Sequence, residues 1–467
     1  MQKKDVIILG GGAGGLVCAS VLSQLGLKTL LIEKNDKLGG DCLHYGCVPS
    51  KALLNQAKIA HILTENNALI SEEQKNNFFD KAMLAVKEVI NTIQQHDDPK
   101  RFEDYGCEVL FGEAKFIDNK TIKINGQKIY GKRFIIATGS SPIAPPIAGL
   151  NSIDYLTNET IFDLSKRPEK LIIIGAGVIG IEMAQAFARL GTEVHVIDIT
   201  DEIMAVLNNE IGLTIHKTLE KEGVQFHLKA SIHQVNKQNE QYQVELTTNN
   251  KFTLQADQLL VATGRKANCD NLDLEKTGVQ FDKRGIKVDA RLRTSNKSIY
   301  AVGDVINCPY KFTHLAEYHA GIVIGQVAFK FPQKVNYRAL PSVVYTQPEC
   351  AMAGDTRESN DVTINRFNMN EVDRAITDKH TTGFCKLYSK KGKIVGAIIV
   401  GENAGEVIAE MTLAINNNMS IDKLAKTIHA YPTIAQVSKR VAGAYYAPRL
   451  FSKKTKLLVK CLNLLLR

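Results

Sequence analysis

One local pattern occurs twice in this chain. Apolar residues from Asp5 run into Gly10-Gly11-Gly12-Ala13-Gly14-Gly15, followed by an Ala/Leu-rich stretch to Leu25 and a second apolar run, 27–33. Apolar residues from Lys170 run into Gly175-Ala176-Gly177-Val178-Ile179-Gly180, followed by a helical pattern to Leu190 and an apolar run, 193–198. The copies lie about 165 residues apart, and each carries an acid 23 positions after its first glycine: Glu33 after Gly10, Asp198 after Gly175. A single glycine turn between strand and helix is weak, because turn geometry alone favours glycine. Two turns with the same acid offset predict two Rossmann-like dinucleotide-binding units, an α/β architecture. Gly10, Gly12 and Gly15, and then Gly175, Gly177 and Gly180, let backbone approach a pyrophosphate at a helix N-terminus. Glu33 and Asp198 are placed to accept from adenosine ribose hydroxyls.

The remaining sequence adds limits. At 467 residues the chain has room for several domains. Pro142, Pro145 and Pro146 mark a linker ahead of the second nucleotide unit. Residues 61–105 are polar and charge-rich and read as a long surface helix ending near Asp97-Asp98-Pro99. From about 340 onward, strand patterns followed by helical ones predict a separate α+β domain. The nine cysteines are odd in number and thinly spread, so they are no secreted disulfide framework, and no Cys/His cluster has zinc spacing. No apolar run is long enough for a membrane span, and the N-terminus lacks a signal-peptide pattern. The expectation is a cytoplasmic protein. The net charge of +9 is concentrated at the C-terminus, which argues against bulk nucleic-acid binding.

Gly39-Gly40-Asp41-Cys42-Leu43-His44-Tyr45-Gly46-Cys47-Val48-Pro49-Ser50-Lys51 follows the first unit. In a regular helix, positions five apart have Cα atoms roughly 8.7 Å apart, and a disulfide tolerates less than about 7 Å. If Cys42 and Cys47 pair, the helix is distorted there, with Gly46 and Pro49 permitting it. A strained pair beside a cofactor site points to redox chemistry rather than a staple.

These features together resemble the flavin-dependent pyridine nucleotide–disulfide oxidoreductases, which include dihydrolipoamide dehydrogenase, glutathione reductase and mercuric reductase. Ile136-Ala137-Thr138-Gly139-Ser140 and Val261-Ala262-Thr263-Gly264-Arg265 look like that family's two Ala-Thr-Gly segments. Tyr300-Ala301-Val302-Gly303-Asp304 looks like its second flavin motif, and Pro341-Ser342-Val343-Val344 like the start of its dimerisation domain. The resemblance spans essentially the whole chain. It implies an FAD domain in two parts, 1–148 and 267–338, an NAD(P) domain at 149–266 and a dimerisation domain at 339–467. It implies FAD at the first glycine turn, a nicotinamide dinucleotide at the second and a homodimer. Asp304 would hold the ribityl chain. Gly139, Gly264 and the Thr313-His314-Leu315-Ala316 segment would line the cofactors, Ala316 at the helix end facing the flavin. Cys47 would face the flavin and Cys42 would exchange with substrate, with Lys51 near the flavin and paired with Glu182. The bland alternative has Lys51 and Glu182 each solvated on separate helix faces. Asp198, followed by Ile199-Thr200-Asp201-Glu202 without Arg or Lys, predicts NADH over NADPH.

One segment departs from the family pattern. His429-Ala430-Tyr431-Pro432-Thr433-Ile434-Ala435-Gln436 places Tyr431 where the disulfide reductases carry their base histidine, and Gln436 where they carry its orienting glutamate. Tyrosine is a poor base at neutral pH, so rapid exchange with lipoamide or glutathione is in doubt. His429 is either a substitute two residues away or a structural histidine. Mercuric reductases carry a C-terminal vicinal cysteine pair, where this chain has only Cys461. The tail 451–467 is basic and apolar, read as a helix closing over the dimerisation domain or as a weak membrane-surface contact. The expected activity is hydride transfer from NAD(P)H through flavin to a Cys42–Cys47 disulfide and on to an unidentified acceptor: a disulfide, a metal ion or a quinone-like compound. The competing readings are a flavin diaphorase that does not use the cysteines and an NADH-sensing flavoprotein docked at a membrane.

Overall fold

A computed structural model describes residues 2–64 and 71–465. The first glycine turn joins β1 (Gln2–Leu9) to α1 (Ala13–Gln24), which leads to β2 (Thr29–Glu33). Two helices follow, α2 (Gly40–His44) and α3 (Cys47–Thr64), then α4 (Glu72–Gln94) and α5 (Pro99–Asp104). The single helix expected from 61 to about Asp97-Asp98-Pro99 is therefore divided, while its far end falls close to expectation, α4 ending at Gln94 and Pro99 opening α5. Positions 65–70 of that span lie outside the described residues, and α4 starts afresh at Ser71. There Ser71 Oγ accepts from Gln74 N, and Gln74 Oε1 accepts from Ser71 N. This reciprocal cap sets a helix start.

β3 (Cys107–Phe111), β4 (Lys115–Phe116), β5 (Thr121–Ile124) and β6 (Gln127–Ile136) complete a seven-stranded sheet ordered β3-β2-β1-β6-β5-β4, with Ile299–Ala301 also paired to β6. β1, β2, β3, β6 and Ile299–Ala301 run parallel. The apolar runs Val6–Leu9, Thr29–Glu33, Phe134–Ile136 and Ile299–Ala301 are buried on both faces, as unbroken apolar runs require, whereas β3 is mostly half-buried. β7 (Ser140–Pro142) pairs with Arg265–Ala267, which brings the two Ala-Thr-Gly segments together. The second glycine turn repeats the plan with β8 (Lys170–Ile174), α6 (Val178–Arg189) and β9 (Glu193–Ile197) in a four-stranded parallel sheet.

Two compact units emerge. One comprises 1–201 with 222–335, and the other 202–221 with 336–467. The second contains helix α7 (Asn209–Lys221) and a five-stranded antiparallel sheet ordered Pro341–Val344, Glu349–Gly354, Lys393–Gly401, Phe384–Lys390, Thr363–Asn368. In that unit Glu210 of α7 pairs with Arg366 and Lys386. The C-terminal helix Lys453–Leu465 buries none of its residues, so the expected closure over its own domain is not made within the chain. Leu466 and Arg467 of the tail lie outside the described residues. Among the described residues no helix is long and apolar enough to cross a membrane.

Candidate active site

Both glycine turns are built by close backbone approach. Gly10 has φ +110°, and a Cβ there would lie 2.4 Å from the Ala137 carbonyl oxygen. One on Gly15 would lie 1.9 Å from that of Gly10. Glu33, nearly buried at the end of β2, turns back on the same loop: Oε2 accepts from Gly11 N at 2.7 Å and Oε1 from Asn35 N at 2.9 Å. The second turn copies this, with Gly175 at φ +113° and Asp198 Oδ2 accepting from Ala176 N at 2.6 Å. A groove of about 320 Å³ lies along the first turn, lined by Gly10, Gly12, Glu33, Gly139 and Ala267 among others. Gly10, Gly12, Gly40, Gly112 and Gly139 all line it, leaving backbone open to a ligand there, which fits the expected FAD.

The redox segment docks on this turn. Gly12 bridges to Gly39, and a Cβ on Gly40 would lie 2.7 Å from Gly12 Cα. Cys42 and Cys47 do not share one helix as the spacing first indicated. α2 closes with Tyr45 N donating to Asp41 O (2.8 Å), and α3 opens with Ser50 N donating to Gly46 O (3.1 Å). The chain therefore breaks at Tyr45 and Gly46, between the cysteines. Cys42 is half-buried and Cys47 exposed. The Cys42 side chain hydrogen-bonds to Cys47, which pushes Cys42 up and, with help from Thr313 and Lys51, brings Cys47 down to about 6. Thr313 Oγ1 stands 3.3 Å from Cys47 Sγ at the start of the helix Thr313–Phe329, where the partial positive charge of a helix N-terminus favours a thiolate. Ala316 lies in the first turn of that helix.

Lys51 and Glu182 are not separately solvated. Lys51 Nζ lies 2.8 Å from Glu182 Oε2, and Glu182, on α6, is 3% exposed. Asp304 Oδ2 accepts from Ser140 Oγ at 2.8 Å, and burial raises the Asp304 carboxyl. Lys311, which the sequence reading did not single out, donates to the Asp304 and Ile306 carbonyls, and burial lowers it. Lys229 was also missed: its Nζ lies 3.5 Å from Asp201 Oδ2 and its N donates to Thr200 O, so a cation does stand on the Asp198 loop. Only the fold brings it there from 31 residues downstream.

In the C-terminal unit, Tyr431 is 69% exposed. His429 is engaged at both ring nitrogens: Nε2 with Glu410 Oε1 at 3.0 Å and Nδ1 with the Thr427 carbonyl at 3.2 Å. Its side chain is 6% exposed. Glu410 was absent from the sequence reading because it belongs to another helix, Ala404–Asn416.

Comparison with known proteins agrees with this geometry. Residues 4–320 match the model of the pyridine nucleotide-disulphide oxidoreductases, and residues 340–442 match that family's dimerisation domain. A mercuric reductase of Lysinibacillus sphaericus is 35% identical over 449 residues, covering 94% of this chain and 82% of that one. A mitochondrial dihydrolipoyl dehydrogenase of Dictyostelium discoideum is 34% identical over 476 residues, covering 96% and 95%. Among solved structures, the HOCl-induced flavoprotein disulfide reductase RclA of Escherichia coli, in its Cu(II) complex, shares the fold. The TM-score is 0.86 at 24% identity, over 95% of this chain and 99% of that one.

Proposed function

This chain belongs to the pyridine nucleotide-disulphide oxidoreductases, FAD-dependent enzymes that use a nicotinamide dinucleotide, and from that premise we propose that Cys42 and Cys47 carry electrons from NADH to a thiophilic metal ion. The observation that carries the reading is the unequal cysteine pair: a Cys42 thiol hydrogen-bonded to a Cys47 held as thiolate beside Thr313 and Lys51. Bound FAD, reduced by the dinucleotide, supplies the electron pair. Reduction breaks one S–S bond with two electrons; one proton stays on Cys42, and Cys47 remains a thiolate. Lys51, fixed by Glu182, keeps positive charge beside that thiolate. Asp304 and Ser140 would hold the cofactor's sugar chain, and Glu33 its adenosine ribose.

The acceptor argument rests on what the C-terminal segment lacks. Exchange with a dithiol or disulfide substrate needs a base near Cys42. Tyr431 is a poor one, and His429 already serves Glu410 and the Thr427 carbonyl. A soft metal ion needs only two sulfur ligands, and by binding them it displaces the Cys42 proton to water, so no protein base is required. As one Hg(II), or two Cu(II) in turn, takes the two electrons, the Cys42–Cys47 bond re-forms. Asp198, with both carboxylate oxygens engaged by Ala176 and Thr200, supports NADH as the donor.

Anaerobic titration with NADH tests this. The expected result is a long-wavelength thiolate-to-flavin band at two electrons, absent in Cys47→Ser, followed by reoxidation by Cu(II) or Hg(II) much faster than by lipoamide or glutathione disulfide. Direct bleaching to reduced flavin with no band would overturn it in favour of the diaphorase reading.

The tail carries a second part of the proposal: the helix Lys453–Leu465 rests on anionic lipid. It lies beyond the matched dimerisation domain. Leu458, Val459, Leu462 and Leu465 are 58%, 50%, 49% and 81% exposed, and the segment holds four lysines and no acid, the composition of a surface-lying helix. Truncation at 450 should abolish binding to phosphatidylserine vesicles. Retained binding, or loss of the dimer instead, overturns it.

A further inference from the structure

The redox segment is held across its break by a side chain from outside it. Asn158 Nδ2 lies 3.1 Å from Asp41 Oδ1 and 3.1 Å from the Tyr45 carbonyl oxygen. Both partners can only accept, so the amide nitrogen must face them, with one hydrogen spent on each. Asp41 is on α2, beside Cys42, and Tyr45 is at the break before Cys47. One buried amide, 8% exposed, thus ties the two sides of the break together. Arg265 approaches the same carboxylate, Nη2 to Asp41 Oδ1 at 2.9 Å. Its Nε donates to Ser140 Oγ at 2.8 Å, and Ser140 Oγ donates to Asp304. The network therefore runs from the expected ribityl-binding Asp304 to the turn between the cysteines.

Packing leaves that turn little room. A Cβ on Gly46 would lie 3.0 Å from the Asp41 carbonyl oxygen and 3.3 Å from Cys42 Cα. The relative placement of the cysteines depends on how Asp41 and Tyr45 are pinned. Charge depends on it too. Cys42 and Asp41 face Cys47 from α2, Lys51 from α3 and Thr313 from the helix Thr313–Phe329, and Asp41 is the one of these that disfavours the thiolate. Arg265 and Asn158 both engage that negative charge at Oδ1.

We infer that Asn158, acting with Arg265, is a positioning residue for the Cys42–Cys47 pair: it clamps the break between the two cysteines and takes up part of the Asp41 carboxylate charge beside Cys47. The inference rests on Cys42 and Cys47 being the redox pair. A side chain that only supported the fold would change stability or FAD content without moving the thiolate.

The test is the pH titration of the long-wavelength thiolate-to-flavin band in NADH-reduced protein, with bound FAD per chain as the check on folding. In N158D both donors are replaced by a carboxylate that repels Asp41. Its midpoint should move up by about one pH unit, about tenfold in the protonation equilibrium. N158A should move it in the same direction by less. If Asp41 transmits the effect, N158A combined with D41N should bring the midpoint back. An unmoved midpoint in FAD-loaded N158A and N158D overturns the inference and leaves the redox reading standing. So does an N158A shift that D41N fails to reverse. Absence of the band in the unaltered protein overturns both.

Discussion

At the first glycine turn Gly10 stands at φ +110° and at the second Gly175 at φ +113°; the added Cβ would meet a carbonyl oxygen at 2.4 Å in one and 2.6 Å in the other. Gly15 and Gly180 press on their first glycines at 1.9 and 2.0 Å. Glu33 and Asp198 each accept from the amide after the first glycine. The surroundings differ. Gly12 of the first turn is covered by Gly39 and Gly40 of the redox segment, whereas a Cβ on Gly177 of the second would meet nothing within 4 Å. One backbone solution thus serves two purposes: the first turn is built into the core of the redox site, and the second is open for a cosubstrate that must come and go.

Matched substitutions test that division. The largest effect is expected from Gly15→Ala, whose Cβ would overlap immovable backbone: the protein should lose FAD entirely, read as flavin per chain. Gly180→Ala meets nearly the same overlap but should keep its flavin and lose reduction by NADH about a hundredfold or more, about 3 kcal/mol of transition-state stabilisation. Equal FAD loss in both would refute the division. A smaller contrast comes from the acids. Glu33→Ala leaves the buried Gly11 N–H unpaired, at about 1–3 kcal/mol, and should lower both FAD affinity and Tm. Asp198→Ala should leave FAD bound and lower kcat/KM for NADH roughly tenfold, with NADPH affected least because Lys229 stands on the same loop. An unaltered protein preferring NADPH by more than tenfold would overturn the assignment of Asp198.

The repeated turns were legible because backbone geometry admits few residues at these positions, so glycine and acid spacing survives in one dimension. Lys51 and Glu182 were legible only through the family resemblance; nothing in their own surroundings marks two residues 131 apart as a pair. The break between Cys42 and Cys47 was foreseen as a distortion, but its form, two helices meeting at Tyr45 and Gly46, depends on tertiary contacts. Asn158 could not have been found. It sits in an irregular segment, and its role comes from a carboxylate and a carbonyl more than a hundred residues earlier. Glu410 was missed for the same reason, since its partner His429 lies on a different element. The start of α4 was available and overlooked: Ser71-Glu72-Glu73-Gln74 is a capping box, and it divides the helix expected from 61 to about Asp97-Asp98-Pro99.

The smallest predicted effect sharpens the asymmetry within the redox segment itself. Only the thiolate is alkylated by iodoacetamide. Hydrogen bonding from Cys42, then Thr313 and the Lys51 charge, bring Cys47 down to about 6, while the same bond to Cys47 and then burial push Cys42 up. A lowered thiol is anionic above its own pKa, so reactivity should be full at neutral pH and fall as pH drops through about 6. Mass mapping of the reduced protein should place the label on Cys47 and spare Cys42. Lys51→Met removes one of the smaller supports, so the midpoint should rise by less than about one pH unit and the choice of cysteine should not change. Labelling that moved to Cys42 would reverse the roles of the two sulfurs. A midpoint near the ordinary thiol value would show that the first turn, for all its packing against the redox segment, does not prepare a thiolate there.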